Sequence, residues 1–407
     1  MAVTLLLARE KPHHNSIVTL LGSLERENLA DRCEIRLALW DRIVGEYEQA
    51  ATGPERCVIG FSLTTPDVAR FVKLMSTVRQ VRRPGDLVVA GGPHASAADE
   101  AVLALGVDVV FRGEADRSFP LFMRAILGGD EWRDLPGLSR LDGSRLVRNP
   151  AAEPIEMDRV RSRSDRMRLL GSLEITRGCP YGCGFCQTAR FWGCTPRHRS
   201  LENILEELVH YRASRFVRLL APNAFGYCAE QAGEPNIRAI IEMLEAAHTR
   251  HPMVRIVFGA FPSEVRPEYV RRELVRAVRP LVSNRYLAVG AQSGSDRVLA
   301  LAGRGHTVAD VLRACETILD EGMGVLVDTL FGLPGETADD RAQTRRMMAQ
   351  IASWGGRFRV HIFWPLPGTP LANAPAAPLL DPDTSDFLSD MARRGAAEGT
   401  WKTNAER

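Results

Sequence analysis

The feature that most constrains this chain is an alternation that starts twice. Short apolar runs of strand character, at 3–8, 33–40, 58–65, 87–90 and 107–111, are separated by segments of helical periodicity such as 67–81. Runs of that length joined by helices predict a parallel sheet buried on both faces, because a parallel pair needs a crossover between its strands. The alternation stops at Leu127-Gly128-Gly129-Asp130. Residues 131–168 then carry Pro136, Gly137, Gly143, Pro150 and Pro154, followed by Arg159, Arg161, Arg163, Arg166 and Arg168. That is the composition of loops and a small hairpin. From Ser172 the alternation resumes, with strands predicted at 172–176, 216–220, 254–258, 286–290, 325–331 and 358–363. Ser200 is placed to N-cap a helix with apolar positions Leu201, Ile204, Leu205, Leu208 and Tyr211. Thr307 and Thr337 each stand three residues before an aspartate, Asp310 and Asp340, in capping-box order. The reading is α/β throughout: a doubly wound Rossmann-like domain over 1–130, a linker or extension over 131–168, a partial (β/α)6 barrel over 169–375, and a C-terminal loop and helix over 376–407.

Composition excludes several function classes. Among 407 residues, 52 basic side chains face 50 acidic ones. No global field therefore favours nucleic acid or an anionic membrane. No apolar run approaches the roughly 18 residues of a membrane span, and the run at 3–8 is too short for a signal-peptide core. The expectation is a cytoplasmic protein with neither nucleic acid nor membrane as partner. The arginine run reads as a solvated interdomain linker; a phosphate clamp is the sharper alternative.

Cysteine usage is more specific. Of eight cysteines, three fall in Arg177-Gly178-Cys179-Pro180-Tyr181-Gly182-Cys183-Gly184-Phe185-Cys186, after the first predicted barrel strand. Thiolates are the usual ligands of iron–sulfur clusters. Three thiolates on a four-iron cubane leave one iron open, as a catalytic metal needs. The competing reading is a structural zinc completed by His198 or Cys194. Cys315 lies on an apolar helix stripe and reads as core, while Cys33, Cys57 and Cys228 are isolated.

The C-x3-C-x2-C loop, with an aromatic before its last cysteine at the start of a partial barrel, resembles the radical S-adenosylmethionine superfamily. Gly290-Ala291-Gln292-Ser293-Gly294-Ser295-Asp296 is similar to that family's ribose-side segment. Gly332-Leu333-Pro334-Gly335-Glu336-Thr337 resembles its adenine-side turn, and Pro365-Leu366-Pro367-Gly368-Thr369-Pro370 follows the sixth strand. The resemblance spans nearly all of 170–375. It implies a [4Fe-4S] cluster on Cys179, Cys183 and Cys186, with Phe185 beside the adenine of S-adenosylmethionine. It implies further contacts from Gly290, Gln292, Ser293, Gly332, Pro334 and Gly335. The family often has Gly-Gly-Glu after the second strand. This chain has Ala221-Pro222-Asn223-Ala224, so Asn223 takes that place.

The first domain resembles the cobalamin-binding domain that precedes many such barrels. Ser62-Leu63-Thr64 ends its third strand, Gly91-Gly92 its fourth, and Arg112-Gly113-Glu114 its fifth. The carboxyl edge of a doubly wound sheet is where such folds bind ligands. The resemblance assigns Ser62, Thr64, Gly91, Gly92, Gly113 and Glu114 to cobalamin. The family's Asp-x-His-x-x-Gly loop is absent. The corresponding Lys11-Pro12-His13-His14 reads as a solvated loop, so no histidine is expected on cobalt. The segment 261–268 resembles a subgroup of these two-domain proteins. In it Glu264 and Arg266 either face the site or form a surface turn.

Together these resemblances imply a radical enzyme. Its cluster reduces S-adenosylmethionine, a 5′-deoxyadenosyl radical takes hydrogen from an unactivated carbon, and methylcobalamin supplies a methyl group. A rearrangement, cyclisation or oxidation without methyl transfer is the alternative. Methylthiotransfer would need a second cysteine-bearing cluster domain upstream, which Cys33 and Cys57 do not provide. The implied partners are a small-molecule or peptide substrate and an electron donor such as flavodoxin or ferredoxin. Catalytic side chains are not legible.

Overall fold

The computed structural model describes residues 3–53, 55–399 and 401. The chain divides into two compact units, residues 1–172 and 173–407.

In the first unit β1 (Val3–Ala8), β2 (Glu34–Ala38), β3 (Arg56–Ser62), β4 (Leu87–Gly91) and β5 (Val109–Phe111) form a parallel sheet in the order β2-β1-β3-β4-β5. Successive strand residues point to opposite faces, so the run Leu5-Leu6-Leu7 feeds two cores. Leu5, Leu7, Val58, Val89 and Phe111 pack on one face with α1 (His14–Arg26). Leu6, Ile59 and Val88 pack on the other with α2 (Ile43–Ala50) and α3 (Val68–Val81). The strand order reverses between β1 and β3, and open α/β sheets bind ligands at the carboxyl ends of strands flanking that point. Beyond β4 lie α4 (Gly92–Ala97), α5 (Asp99–Ala104) and, after β5, α6 (Ser118–Gly128).

The 131–168 segment does not form a separate linker. Its predicted hairpin, β6 (Leu138–Asp142) and β7 (Arg145–Arg148), extends the sheet antiparallel from β5. The chain then returns to α1 through β8 (Arg163–Ser164) and β9 (Leu169–Leu170). A Cβ on Gly22 of α1 would lie 2.5 Å from the Arg163 carbonyl oxygen and 2.7 Å from Arg161 Cβ, so α1 needs a glycine for this close pass. The arginine run is only partly solvated: Arg159, Arg166 and Arg168 are exposed, and the segment is nonetheless tied back to the first sheet's helix layer. Arg163 is buried, and Arg166 donates to the carbonyls of Ala30 and Cys33 and to Asp31.

The second unit opens with β10 (Leu173–Glu174), β11 (Thr176–Arg177), α7 (Thr188–Trp192), β12 (Arg197–His198) and α8 (Leu201–Leu208). It continues with β13 (Phe216–Leu220), α9 (Ile237–Arg250), β14 (Arg255–Val257), α10 (Arg272–Val278), β15 (Tyr286–Gln292), α11 (Asp296–Leu301) and α12 (Val308–Asp320). It ends with β16 (Gly324–Phe331), α13 (Ala338–Ser353), β17 (Arg357–Ile362), α14 (Pro382–Arg393) and β18 (Ala397–Gly399). Two parallel sheets, β10-β13-β14 and β15-β16-β17-β18, are stitched by Gly259 and Val265. The Ala288 N–H donates to Gly259 O (2.8 Å), and the Val265 N–H donates to Ala288 O (2.8 Å). The result is an open barrel wall containing the six predicted strands. β18, paired to β17, adds a strand where only loop and helix were expected; its three residues carry no apolar run. The predicted helix starts are present: Ser200 caps α8, and Thr307–Asp310 and Thr337–Asp340 form capping boxes on α12 and α13. No helix among the described residues is long and apolar enough to cross a membrane.

Candidate active site

The cysteine loop leaves β11 through Gly178, whose φ of +91° and whose contacts exclude a side chain. A Cβ there would meet Thr195 O at 2.7 Å. The loop is strapped on both sides. The Cys179 N–H donates to Gly193 O (3.1 Å), the Gly184 N–H to Ala302 O (2.9 Å), and the Leu371 N–H to Gly184 O (3.2 Å); Gln187 Nε2 reaches Pro367 O (2.8 Å). The Pro365–Pro370 turn thus holds the loop from the far side.

Cys179, Cys183 and Cys186 line one cavity, together with Gly290 and Gln292 of β15 and with Tyr181, Glu264, Arg266 and Arg304. Among the described residues no three His, Cys, Asp or Glu side chains are placed to hold a single metal ion. The thiols border a shared space instead of converging on one point. That suits a multi-iron cluster, in which each thiolate ligates a different iron, and does not suit a tetrahedral zinc. The zinc alternatives also point elsewhere. Cys194 is exposed, and His198 Nδ1 faces Thr176 Oγ1 (3.0 Å) and the Cys228 amide (3.3 Å).

The predicted S-adenosylmethionine residues separate into three groups. Gly290 and Gln292 share the cysteine cavity, at a bulge where Gln292 adopts a left-handed φ of +71°. Phe185 packs with Leu333 of the Gly332–Gly335 turn, and with Val298, Ala302 and Phe363, in an apolar patch. Gly332, Pro334 and Gly335 do not line the cysteine cavity. Gly332 donates to Glu336 Oε2 (2.8 Å), and burial pushes the Glu336 carboxyl up to about 7. Ser293 is not brought to the cavity either. It is fully buried, lies 3.4 Å from Thr344 Oγ1 and accepts from the Ser295 N–H. Asn223 is buried with Oδ1 accepting from the Arg266 N–H (3.1 Å), and it borders an adjoining cavity with Cys179 and Tyr181.

Segment 261–268 is not a surface turn. Glu264 lines the cysteine cavity and meets Arg359 (3.0 Å), which also grips Asp328. Burial, then the neighbouring Asp328 charge, raises the Glu264 carboxyl. Arg266 is buried and stacks on Tyr181, 3.4 Å from its centroid. Arg304, with His306 and Glu268 nearby, belongs to no motif of the sequence. Its one sequence signal is the flanking pair in Gly303-Arg304-Gly305, and in the structure these two glycines have φ of +67° and +73°.

In the first unit Ser62 and Gly91 are register partners at the carboxyl ends of β3 and β4. The Ser62 side chain points at Gly92, and its hydroxyl has no partner among the described residues. This unspent hydroxyl stands at the carboxyl edge of the sheet, where doubly wound folds bind ligands, and could donate to a polar group of cobalamin. Other assigned residues are already engaged. Thr64 caps the following turn in a capping box with Asp67. Gly113 donates to Ser96 Oγ (3.0 Å), and Glu114 accepts from the Ile155 N–H (3.2 Å). Gly92 serves the backbone itself: at φ +91° a Cβ would lie 2.8 Å from both Leu63 N and Leu63 O. The two histidines are not solvated. His13 is buried, stacks on Trp40 and lies 3.2 Å from Asp67; His14 Nε2 lies 2.8 Å from Leu170 O.

Comparison with known proteins gives two family matches: the radical SAM superfamily over residues 173–348 and a B12 binding domain over 10–122. An uncharacterized methyltransferase, PH0819, of Pyrococcus horikoshii is 24% identical over 77% of this chain and 68% of its own length. A tRNA-2-methylthio-N(6)-dimethylallyladenosine synthase of Neisseria meningitidis is 28% identical over 81% of this chain and 72% of its own. The chain spans 66% and 51% of two further curated relatives. Among solved structures, the radical S-adenosylmethionine methyltransferase TsrM from Kitasatospora setae superposes with a TM-score of 0.72 at 18% identity, covering 93% of this chain and 76% of that one. The cobalamin-dependent radical enzyme OxsB gives 0.67 at 16%, covering 85% and 51%.

Proposed function

The chain is a radical S-adenosylmethionine enzyme with an N-terminal B12-binding domain, and we propose that it methylates an unactivated carbon of its substrate. Its cofactors are the [4Fe-4S] cluster, S-adenosylmethionine and cobalamin. When bound, these supply a carbon-centred radical and a transferable methyl group. The observation that carries the site assignment is the single cavity shared by three thiols, Gly290 and Gln292. Cys179, Cys183 and Cys186 would each hold one iron. Gln292 and Gly290 would meet S-adenosylmethionine, with Phe185 and Leu333 offering an apolar surface for its adenine. Ser62 would bond cobalamin. The engaged positions of His13 and His14 support a cobalt without a histidine ligand. Electrons would come from a small carrier such as flavodoxin or ferredoxin, and the substrate is a small molecule or peptide.

Methylthiotransfer is not favoured. Cys33 and Cys57 are buried in cores on opposite faces of the first sheet, so they do not share a cluster. The test of methylation is anaerobic turnover with candidate substrate pools and S-adenosylmethionine carrying a labelled methyl group. The reading expects label in a product heavier by one methylene per transfer. An unlabelled product with altered bonding would favour rearrangement or oxidation.

Two substitutions check the contacts. Gln292→Asn, which keeps a side chain tolerant of positive φ, should weaken S-adenosylmethionine binding by about 1–2 kcal/mol with iron content unchanged; calorimetric titration reads this directly. Ser62→Ala should weaken cobalamin binding by about 1 kcal/mol, read as the free cobalamin concentration needed to saturate the protein. Unchanged affinity in either variant removes that residue from the contact set.

A further inference from the structure

Beneath the cysteine loop lies a buried polar cluster that the proposed reaction does not use. Arg266 sits at its centre. Its ring stack on Tyr181 is 3.4 Å, its Nε donates to Glu268 Oε1 at 2.5 Å, and its Nη2 donates to the Arg304 carbonyl. Its Nη1 lies 3.9 Å from the sulfur of Cys183. Arg304 reaches the same sulfur at 3.4 Å through Nη1, while its Nη2 holds Gly290 O at 2.6 Å. Arg266 and Cys183 are 5% and 7% exposed. Two guanidinium groups thus converge on one thiol out of three, in a region where charge is poorly screened.

We propose that Arg266 is a tuning residue for the iron–sulfur cluster. With Arg304 it donates to the Cys183 sulfur and raises the cluster's reduction potential, while Glu268 both aims Arg266 and offsets part of its charge. The inference rests on the cluster assignment above. The physical reason is general. Reduction adds one negative charge to the cluster, and a fixed positive charge with hydrogen bonds to a ligating sulfur stabilises that added charge. The Tyr181 ring, Glu268 and the Arg304 carbonyl fix the plane of the guanidinium, so its Nη1 stays directed at the sulfur.

The sign of the effect can be tested in both directions. Wild type, Arg266→Gln, Arg266→Lys and Glu268→Gln are reconstituted anaerobically as full-length chains. Iron and sulfide are counted, and the one-electron midpoint is measured by redox titration followed by electron paramagnetic resonance. Arg266→Gln should favour the oxidised cluster at least tenfold, a fall of about 59 mV for one electron. Arg266→Lys, which keeps the charge, should recover part of the fall. Glu268→Gln should shift the midpoint upward. If Arg266→Gln takes up no iron, the Glu268→Gln arm decides alone. Full clusters with unshifted midpoints would overturn the inference, as would a fall in Glu268→Gln, which simple loosening of the site would give in both variants. A wild-type chain that takes up no four-iron cluster would overturn the functional reading, and the inference with it.

Discussion

Single replacement of Cys179, Cys183 or Cys186 by Ala should remove the cluster and abolish formation of 5′-deoxyadenosine, whereas Cys194→Ala and Cys315→Ala should leave both. Each of the three thiols borders the shared cavity. Losing one leaves an iron without its protein ligand, and no other cysteine is placed to substitute. Cys194 is exposed and donates weakly toward Ala189 O. Cys315 lies in the core of α12, where burial pushes its thiol up to about 12. It is thus a poor source of the thiolate that ligates metal. The measurements are iron per chain and deoxyadenosine after reduction. A cluster that survives loss of one of the three but not loss of Cys194 would refute the ligand set.

Gly92→Ala should lower the melting temperature of the first unit sharply, and cobalamin should be lost with it. Two penalties combine. An L-residue held at φ +91° costs about 1–3 kcal/mol. A Cβ placed 2.8 Å from Leu63 N and O forces apart the β3 and β4 edges, at roughly another 1–3 kcal/mol. For a domain of this size each kcal/mol corresponds to about 2–4 °C, so the midpoint should fall by roughly 5–20 °C. Gly91→Ala is the contrasting control. Its φ is −146°, and its Cβ would make only an ordinary 3.7 Å contact with Phe111, so the melt should hardly move. A Gly92→Ala protein of unchanged melting temperature would contradict this account of the glycine.

Much of the architecture was legible because its signals are local. Apolar runs bounded by turn residues marked both sets of strands, and side-chain caps marked the starts of α8, α12 and α13. The cysteine spacing, with glycines around it, identified the loop that forms the site. What escaped were partnerships between distant segments. Nothing near Arg163 or Arg166 announces that they fold back onto α1, because the fit depends on Gly22 and on carbonyls more than 130 residues away. Ser293 and Thr64 have the right side chains for ligand contact, yet local capping and packing claim them. Arg304 is the opposite case. It sits in a short glycine loop with no motif of its own and gains meaning only when Cys183 is packed against it. β18 was missed because three residues without β-branched or aromatic side chains carry no strand signal.

The central claim is that this chain moves a methyl group through cobalamin. It can be tested without knowing the substrate. The reconstituted holoenzyme is incubated anaerobically with reductant and S-adenosylmethionine carrying a labelled methyl group, and the bound cobalamin is then extracted in the dark. The account expects label on the cobalamin, approaching one equivalent per chain. Formation of 5′-deoxyadenosine with no label on the cobalamin would contradict it.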